Sequence, residues 1–203
     1  MSAIDLFDRP SNADTGARNE LDRYETPPWM TCTLLHHHPA IRRETVLEPA
    51  CGNGAIARVL TAAGCVVHTN DIDRRQPADT HEDARMEQFW AVEAARPDRA
   101  AWIVANFPFN VAFEMLVHAH AHGFNIALLL RKTFLEPTGT AKKPGRGIWL
   151  QAHPPNRIIG LPRHTFRGQG NDSVSCDWMI WDRWDRGYPP IVIDYGAKER
   201  ITP

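Results

Sequence analysis

The residues best able to do chemistry lie where three apolar stretches of the sequence end. Glu48 closes "TVLE", Asp71 follows "CVVHTN", and Asn106 follows "AWIVA". In a parallel sheet the carboxyl ends of the strands meet at one edge, and ligands bind there. The sequence therefore predicts that two carboxylates and one amide converge, a set that suits a ligand with a cationic group and hydroxyls.

A glycine-containing turn comes directly after Glu48. Residues 52–57, "GNGAIA", match the pattern G-x-G-x-x-G/A, and Asp71 follows Gly54 by 17 residues. Such a turn fits a dinucleotide, whose pyrophosphate binds at a helix N-terminus, or is simply a tight strand-to-helix connection. Because Glu48 would repel a pyrophosphate, a ligand with an amine and a sulfonium is favoured.

The segment "NFPF", residues 106–109, places an amide and two aromatic rings after a buried strand. The amide oxygen of Asn106 and the backbone carbonyl of Phe107 can accept both hydrogens of an exocyclic amine, which localises the nitrogen lone pair for attack. Phe109 offers a flat face to a base taken out of a duplex. The alternative is that Asn106 caps the next helix and both rings belong to the core.

Alternating strand and helix patterns must position these residues. They predict an α/β fold with a doubly wound, mostly parallel sheet and one antiparallel strand. "RIIGL" and "SCDWMIW" are predicted to pair as a hairpin, and residues 191–193 to form an edge strand. Thr26 is predicted to cap a helix that begins at Pro27 and Pro28, and a short helix is expected around 86–95. Residues 135–156 are expected to form a long loop or insertion.

The composition suits a single domain over residues 1–203, with an irregular arm at 1–23. Of the 203 residues, 43% are hydrophobic, and no apolar run approaches the roughly 18 residues of a membrane span. The N-terminus lacks a signal-peptide core, and four cysteines without a CxxC pair favour the reducing cytoplasm. No metal site is expected, because consecutive histidines 36–38 diverge on a helix and the pair His118 and His122 lacks a third ligand.

Basic residues are concentrated in one stretch of a nearly neutral chain. The formal net charge is −1, yet residues 131–167 contain eight basic side chains and one acidic one. A local positive patch is typical of a phosphate-binding surface, and the alternative is a solvated loop with paired charges. Phe166 either stacks beside a target base or packs the hairpin. The candidate nucleic-acid contacts are Lys142, Lys143, Arg146, Arg163, Phe166 and Arg167.

Several of these motifs together resemble one enzyme family. "LEPACGNG" resembles the first motif of the class I S-adenosylmethionine-dependent methyltransferases, "NDID" resembles their second, and "NFPF" resembles the [D/N/S]-P-P-[Y/F/W] motif of the amino-methyltransferases. "LDRYETPPW" resembles the cofactor-capping motif of adenine-amine DNA methyltransferases, including small phage-type and orphan ones. The resemblance covers about residues 21–184. It departs at Phe107, where the family has a proline that would fix φ.

The resemblance implies a reaction, a cofactor and a set of site residues. The reaction would transfer a methyl group from S-adenosylmethionine to the exocyclic amine of adenine in DNA. The implied catalytic residues are Asn106, Phe107, Pro108 and Phe109. Asp83 is preferred over Glu82 as the partner of the cofactor's adenine amine. The implied cofactor-binding residues are Tyr24, Thr26, Pro27, Trp29, Glu48, Ala50, Cys51, Gly52, Gly54, Asp71, Ile72 and Asp83.

Double-stranded DNA is the expected partner, read chiefly by the loops 136–147 and 164–173 or by the N-terminal arm. A homodimer would extend so small a reading surface and would suit a palindromic site. RNA adenine, cytosine amines and protein glutamine are alternative substrates, because the mechanism requires only an amine of this type. A nucleic-acid-binding module without catalysis is disfavoured by the intact set of Glu48, Gly52, Gly54, Asp71 and Asn106. A NAD-dependent oxidoreductase is disfavoured further, because no residue resembles a hydride-transfer acid or base and Asn106 would be unexplained.

Overall fold

The computed structural model describes residues 25–136, 139–140, 143–165, 173–184, 186–194 and 196–203. The predictions made for the arm of residues 1–23, and for Tyr24, Lys142, Phe166 and Arg167, fall outside these residues, and so does the prediction for the side chain of Lys143.

The described chain alternates strands with helices. The strands are β1 (Thr45–Glu48), β2 (Val66–Thr69), β3 (Trp102–Ala105), β4 (Asn125–Arg131), β5 (Gly139–Thr140), β6 (Lys143–Pro144), β7 (Arg157–Gly160), β8 (His164–Thr165), β9 (Ser173–Val174), β10 (Cys176–Trp181) and β11 (Ile191–Ile193). The helices are α1 (Pro28–His37), α2 (Ala55–Ala62), α3 (Glu87–Ala95), α4 (Ala112–Ala121) and α5 (Arg146–Ala152).

Seven of the strands form one sheet in the order β2–β1–β3–β4–β10–β7–β11. All neighbouring strands run parallel except β10, which is antiparallel to both β4 and β7. The predicted mixed sheet with one antiparallel strand is therefore confirmed, as are the β7–β10 pairing and the edge strand at Ile191–Ile193. Two short antiparallel ribbons, β5–β6 and β8–β9, lie outside this sheet.

The sheet is covered by helices on both faces because its central strands are apolar on both sides. Successive side chains of a strand point to opposite faces, so Trp102 and Val104 join the cluster formed with α1 and α2. Ile103 and Ala105 join the cluster formed with α3 and α4 on the opposite face. Among the described residues no helix is long and apolar enough to cross a bilayer.

Two local predictions were wrong. Helix α1 is capped by Pro27 without a side-chain hydrogen bond, because the hydroxyl of Thr26 is engaged elsewhere, as described below. Residues 146–152, predicted as loop, form α5. This helix is stabilised by tertiary packing rather than by its glycine-containing sequence: Leu150 is buried, and Trp149 makes an edge-on contact with Phe113 of α4.

Candidate active site

Three polar side chains lie at the carboxyl edge of the adjacent strands β2, β1 and β3. Glu48 is the last residue of β1 and is in register with Thr69, the last residue of β2. Asp71 follows β2 by two residues, and Asn106 directly follows β3. The sheet register therefore brings together the residues that the sequence marked as candidates.

The carboxyl group of Glu48 is buried, and its hydrogen-bonding capacity is only partly used. It is 2% exposed, and its Oε2 atom has no hydrogen-bond partner among the described residues. Burial raises the pKa of Glu48 well above its ordinary value of 4.5, although a hydrogen bond from the backbone of Ala57 and the charge of Arg58 act in the opposite direction. A buried carboxylate with an unpartnered acceptor is costly unless it meets a cation, so this position suits a ligand ammonium.

The surroundings of the glycine turn are electrostatically negative. Burial raises the pKa of the Cys51 thiol to about 12, and the charges of Glu48, Asp71 and Asp79 raise it further. Asp71 also raises the pKa of Glu48. Arg58 lies at the same turn, where its Nη1 donates to the carbonyl of Asn53 at 2.6 Å. With three carboxylates raising the pKa of Cys51, the turn favours a cationic ligand over a pyrophosphate.

The glycine turn is held open by its backbone geometry. Gly52 and Gly54 have φ angles of 53° and 77°, in the left-handed region that favours glycine, and Gly54 caps α2. A Cβ atom at Gly52 would meet nothing within 4 Å, so open space borders this residue. The N–H of Gly52 donates to Oδ2 of Asp71 at 2.8 Å, which ties the turn to the end of β2.

Asn70 connects the glycine turn to residues 80–83 and was missed by the sequence analysis. It is fully buried, and its Nδ2 donates to the carbonyls of Pro49 at 3.0 Å and Glu82 at 2.9 Å. Its Oδ1 accepts from the hydroxyl of Thr80 and from the N–H of Glu82, both at 2.8 Å. All four hydrogen-bonding positions of this amide are therefore used. The only sequence signal for this role is a polar amide between an apolar strand and an acid.

Asn106 is held by the segment that precedes α1. Its Nδ2 donates to the hydroxyl oxygen of Thr26 at 3.1 Å, and Thr26 is 3% exposed. Since one end of the amide is fixed in this way, the orientation of the Oδ1 acceptor is fixed as well. Residues 26 and 106 come from opposite sides of the glycine turn in sequence, so this contact joins two motifs that the sequence could only place separately.

The two aromatic rings that follow Asn106 have different surroundings. Phe107 is 1% exposed and packs in the core cluster of the α3–α4 face. Phe109 is half-buried, packs against the cluster on the other face, and contacts the guanidinium of Arg131 at 4.2 Å from the ring centroid. The turn continues through a hydrogen bond from Val111 to the carbonyl of Pro108. Phe107 therefore belongs to the core through its ring.

The remaining candidate cofactor residues lie around the same edge. Ile72 is 49% exposed beside Asp71 and offers an apolar surface. Asp83 is paired with Arg85, which holds the pKa of that carboxyl below its ordinary value through hydrogen bonds. Trp29 contacts the ring of His164 edge-on at 5.8 Å, so the β8–β9 ribbon begins beside α1. Pro27 and Ala50 are partly buried.

The candidate DNA contacts that the structure describes differ in their exposure. Arg163 is exposed. Arg146 instead folds back onto the chain, where its guanidinium lies 4.8 Å from the ring of Phe134 and Nη2 donates to the carbonyls of Thr133 and Glu136 at 3.3 and 3.4 Å. Burial lowers the pKa of Arg146. At least one basic residue of the positively charged stretch, Arg146, therefore supports the fold.

The histidine-rich segments have partners within the chain. His37 contacts Asp194 at 2.8 Å and His38 contacts Asp182 at 3.2 Å. Within the described ranges no three histidine, cysteine, aspartate or glutamate side chains are grouped so as to hold a metal ion. The four cysteines are free and buried.

Comparison of the fold with solved structures places the chain among methyltransferase folds. A type I restriction-modification methyltransferase subunit from Streptococcus thermophilus has a TM-score of 0.58 and 14% identity, over 88% of this chain and 51% of that one. The EcoKI M protein has a TM-score of 0.59 and 13% identity, over 83% and 45%. A putative RNA methyltransferase from Pyrococcus horikoshii has a TM-score of 0.54 and 11% identity, over 82% and 89%.

These similarities establish the fold, which is the Rossmann-like fold of class I methyltransferases. The chain spans about half the length of the two restriction-modification subunits that it resembles. No family model matches the sequence, and no curated protein is significantly similar to it.

Proposed function

We propose that the protein transfers a methyl group from S-adenosylmethionine to the exocyclic amine of adenine in DNA. The observation that carries the proposal is the hydrogen bond between Thr26 and Asn106. It joins the segment that resembles a cofactor cap to the amide that resembles a catalytic group, at the sheet edge where the glycine turn and Glu48 lie.

The residues of the glycine turn fit S-adenosylmethionine better than a dinucleotide. The unpartnered Oε2 of Glu48 is an acceptor for the ammonium of the methionine part. Asp71 keeps acceptor capacity for ribose hydroxyls, since each of its oxygens accepts one backbone hydrogen bond, from Gly52 and from Asp73. Ile72 would pack against the adenine, and Glu82 or Asp83 would accept from the adenine amine. When bound, this cofactor would supply a methyl group activated by its sulfonium, and breaking the bond from sulfur to methyl would leave S-adenosylhomocysteine.

Asn106 performs the central step by accepting hydrogen bonds from the substrate amine. Its Oδ1 and the carbonyl of Phe107 localise the nitrogen lone pair, and the interaction strengthens as positive charge develops on nitrogen. Asn106 is neutral, so the released proton leaves to solvent rather than to this side chain. The buried ring of Phe107 anchors the loop in the core, which compensates for the absence of the family's proline.

DNA is the proposed substrate, with adenine as the target base. Two of the structures with a similar fold are subunits of restriction-modification enzymes, and one is a putative RNA methyltransferase. The motif before α1 resembles that of the DNA enzymes, which favours DNA over RNA, glutamine or a role without catalysis. A homodimer would double the surface available for reading a palindromic site.

The test is methyl transfer from labelled S-adenosylmethionine to genomic DNA, total RNA and mixed protein, followed by nucleoside analysis and mapping of methylated positions. We expect methylated adenine in DNA at a defined sequence. Asn106→Ala should reduce the rate about 100-fold or more while leaving cofactor affinity, measured by calorimetry, within about threefold.

The outcomes separate the candidate functions. Label in RNA or on glutamine would retain the chemistry and overturn the substrate. Tight cofactor binding without transfer to any of the three would favour a binding module. An Asn106→Ala variant that retains full activity would reduce Asn106 to a structural residue and remove the basis of the mechanism.

A further inference from the structure

The guanidinium of Arg131 lies on the ring of Phe109, 4.2 Å from its centroid. Arg131 is the last residue of β4, the strand next to β3, and is exposed. Neither the sequence patterns nor the methyltransferase fold assigns this arginine a role. Because Phe109 is the ring that the proposed function gives to the target base, its contact with Arg131 bears on how that base enters.

The sheet fixes the relative position of these two residues. Ala105 at the end of β3 is paired with Leu128 of β4, so Phe109 and Arg131 both extend beyond the carboxyl edge, from adjacent strands. Phe109 packs against the core cluster that contains α1 and α2. The guanidinium therefore covers a ring that is itself anchored in the core.

The contact leaves no room for a base. Stacked groups need about 3.5 to 4 Å between their atoms, so a base held between ring and guanidinium would require a separation of about 7 to 8 Å. At 4.2 Å the guanidinium occupies the position of the first stacked layer. A base can stack on this face of Phe109 only after the arginine has moved.

Within the part of the chain that the structure describes, the guanidinium of Arg131 is held by the ring of Phe109 and by no carboxylate, so it is able to move. Among the described residues it makes no ion pair with an acid, whereas the neighbouring Lys132 is 3.5 Å from Asp177. An exposed cation–π contact is weaker than the stacking of a base on an aromatic ring, so an extruded base would displace the guanidinium.

We propose that Arg131 closes the target-base position in the DNA-free protein and is displaced when the base enters. The proposal rests on the proposed function. Arg131 is thereby a specificity-determining residue: a base that leaves its duplex easily displaces the guanidinium, and a base held firmly in the stack does not.

The test uses a duplex in which the target adenine, identified by mapping methylated DNA, is replaced by 2-aminopurine, whose fluorescence rises when it leaves the stack. Arg131→Ala removes the competing group, so the extruded fraction in the bound duplex should rise about 2- to 5-fold. Arg131→Lys keeps the charge without the planar group, so its extruded fraction should lie between those of the wild type and Arg131→Ala.

Lys132→Ala is the matched control, because it removes the adjacent exposed positive charge without uncovering Phe109. Both alanine variants should weaken overall DNA binding to a similar extent, and only Arg131→Ala should raise the fluorescence. Thermal unfolding confirms that both fold.

Equal fluorescence in the two alanine variants would overturn the closing role of Arg131. Lower fluorescence in Arg131→Ala would also overturn it, and would mean that the arginine supports the inserted base. Methyl transfer by the unmodified protein is measured on the matching adenine duplex. Its absence would overturn the proposed function together with this inference, whereas transfer with equal fluorescence would overturn the inference alone.

Discussion

Glu48 illustrates how a single residue can favour function over stability. Its carboxylate is 2% exposed, and one of its oxygens lacks a partner among the described residues. Because burial raises its pKa, the native protein retains a proton that the unfolded chain releases above its ordinary pKa of 4.5. Folding stability therefore falls as pH rises through the folded pKa.

We expect Glu48→Gln to stabilise the cofactor-free protein and to impair cofactor binding. The increase in melting temperature should be larger at pH 8 than at pH 5, because the unfavourable buried charge that glutamine removes forms at higher pH. Loss of a charged hydrogen bond should weaken S-adenosylmethionine binding about 10- to 100-fold in calorimetry. A variant that binds the cofactor as tightly as the wild type would show that the ammonium does not meet Glu48.

Thr26 acts on Asn106 through a single hydrogen bond, 3.1 Å long. Thr26→Val keeps the shape of the side chain and removes the acceptor, which loosens the hold on the Asn106 amide. We expect the turnover rate to fall about tenfold, an effect typical of lost positioning, with a smaller change in the KM for the cofactor. Thr26→Ser should restore the rate.

The opposite kinetic result would contradict this role. If Thr26→Val raised the KM for the cofactor and left the turnover rate unchanged, Thr26 would serve only to bind the cofactor.

At the scale of elements, the site depends on how the loops after β1 and β2 are joined. Backbone hydrogen bonds join them at the sheet edge, from Cys51 to Asn70 and from Thr80 to Thr69. The Asn70 side chain adds hydrogen bonds to Pro49, Thr80 and Glu82. The glycine turn is therefore supported by the segment that would contact the cofactor's adenine. Damage to this link should affect stability and cofactor binding together.

Asn70→Asp tests the link, because aspartate retains the acceptors and loses both donors. Two carbonyl oxygens would then face a buried carboxylate, which should cost about 3 kcal/mol and lower the melting temperature by roughly 10 °C. Asn53→Asp is the control, since Asn53 is exposed in the same turn and should change stability by less than about 0.5 kcal/mol. Equal melting temperatures for the two variants would mean that Asn70 does not support the loop.

For the whole molecule, a second pH-dependent contribution to stability comes from His38, which is not one of the proposed site residues. His38, at the end of α1, is 1% exposed beside Asp182, and Arg157 and Arg186 also face it. Burial lowers the pKa of His38 from 6.5 to about 4, although Asp182 acts to raise it. A histidine with a lowered pKa favours the native state above the unfolded pKa, and this stability is lost as pH falls from about 6.5 toward 4.

We expect the free energy of unfolding, measured in urea, to fall by roughly 2 to 3 kcal/mol more in the wild type than in His38→Gln between pH 7.5 and pH 4.5. His36 lies on the exposed side of the same helix, so His36→Gln should lose nearly as much free energy of unfolding between these pH values as the wild type does. Identical pH profiles for the wild type and His38→Gln would show that His38 is not buried in its neutral form.

The mixed α/β sheet and the polar residues at its edge could be predicted from the sequence. The alternation of apolar strands with helices is a local signal, and parallel strands end at one edge, so the order of residues along the chain is enough to locate Glu48, Asp71 and Asn106. The packing of α5 on α4 has no such local signal, because residues 146–152 form a helix of only seven residues that includes Gly147. That helix forms only where a neighbouring surface covers it.

The contacts between side chains that are distant in sequence could not be predicted in this way. Thr26 and Asn106 are 80 residues apart, and Arg131 meets Phe109 because β4 lies beside β3. The burial of Glu48, and hence the rise of its pKa, likewise depends on everything packed around it. Such contacts depend on how the strands, helices and loops pack against one another, and the spacing of residues along the chain does not specify that packing.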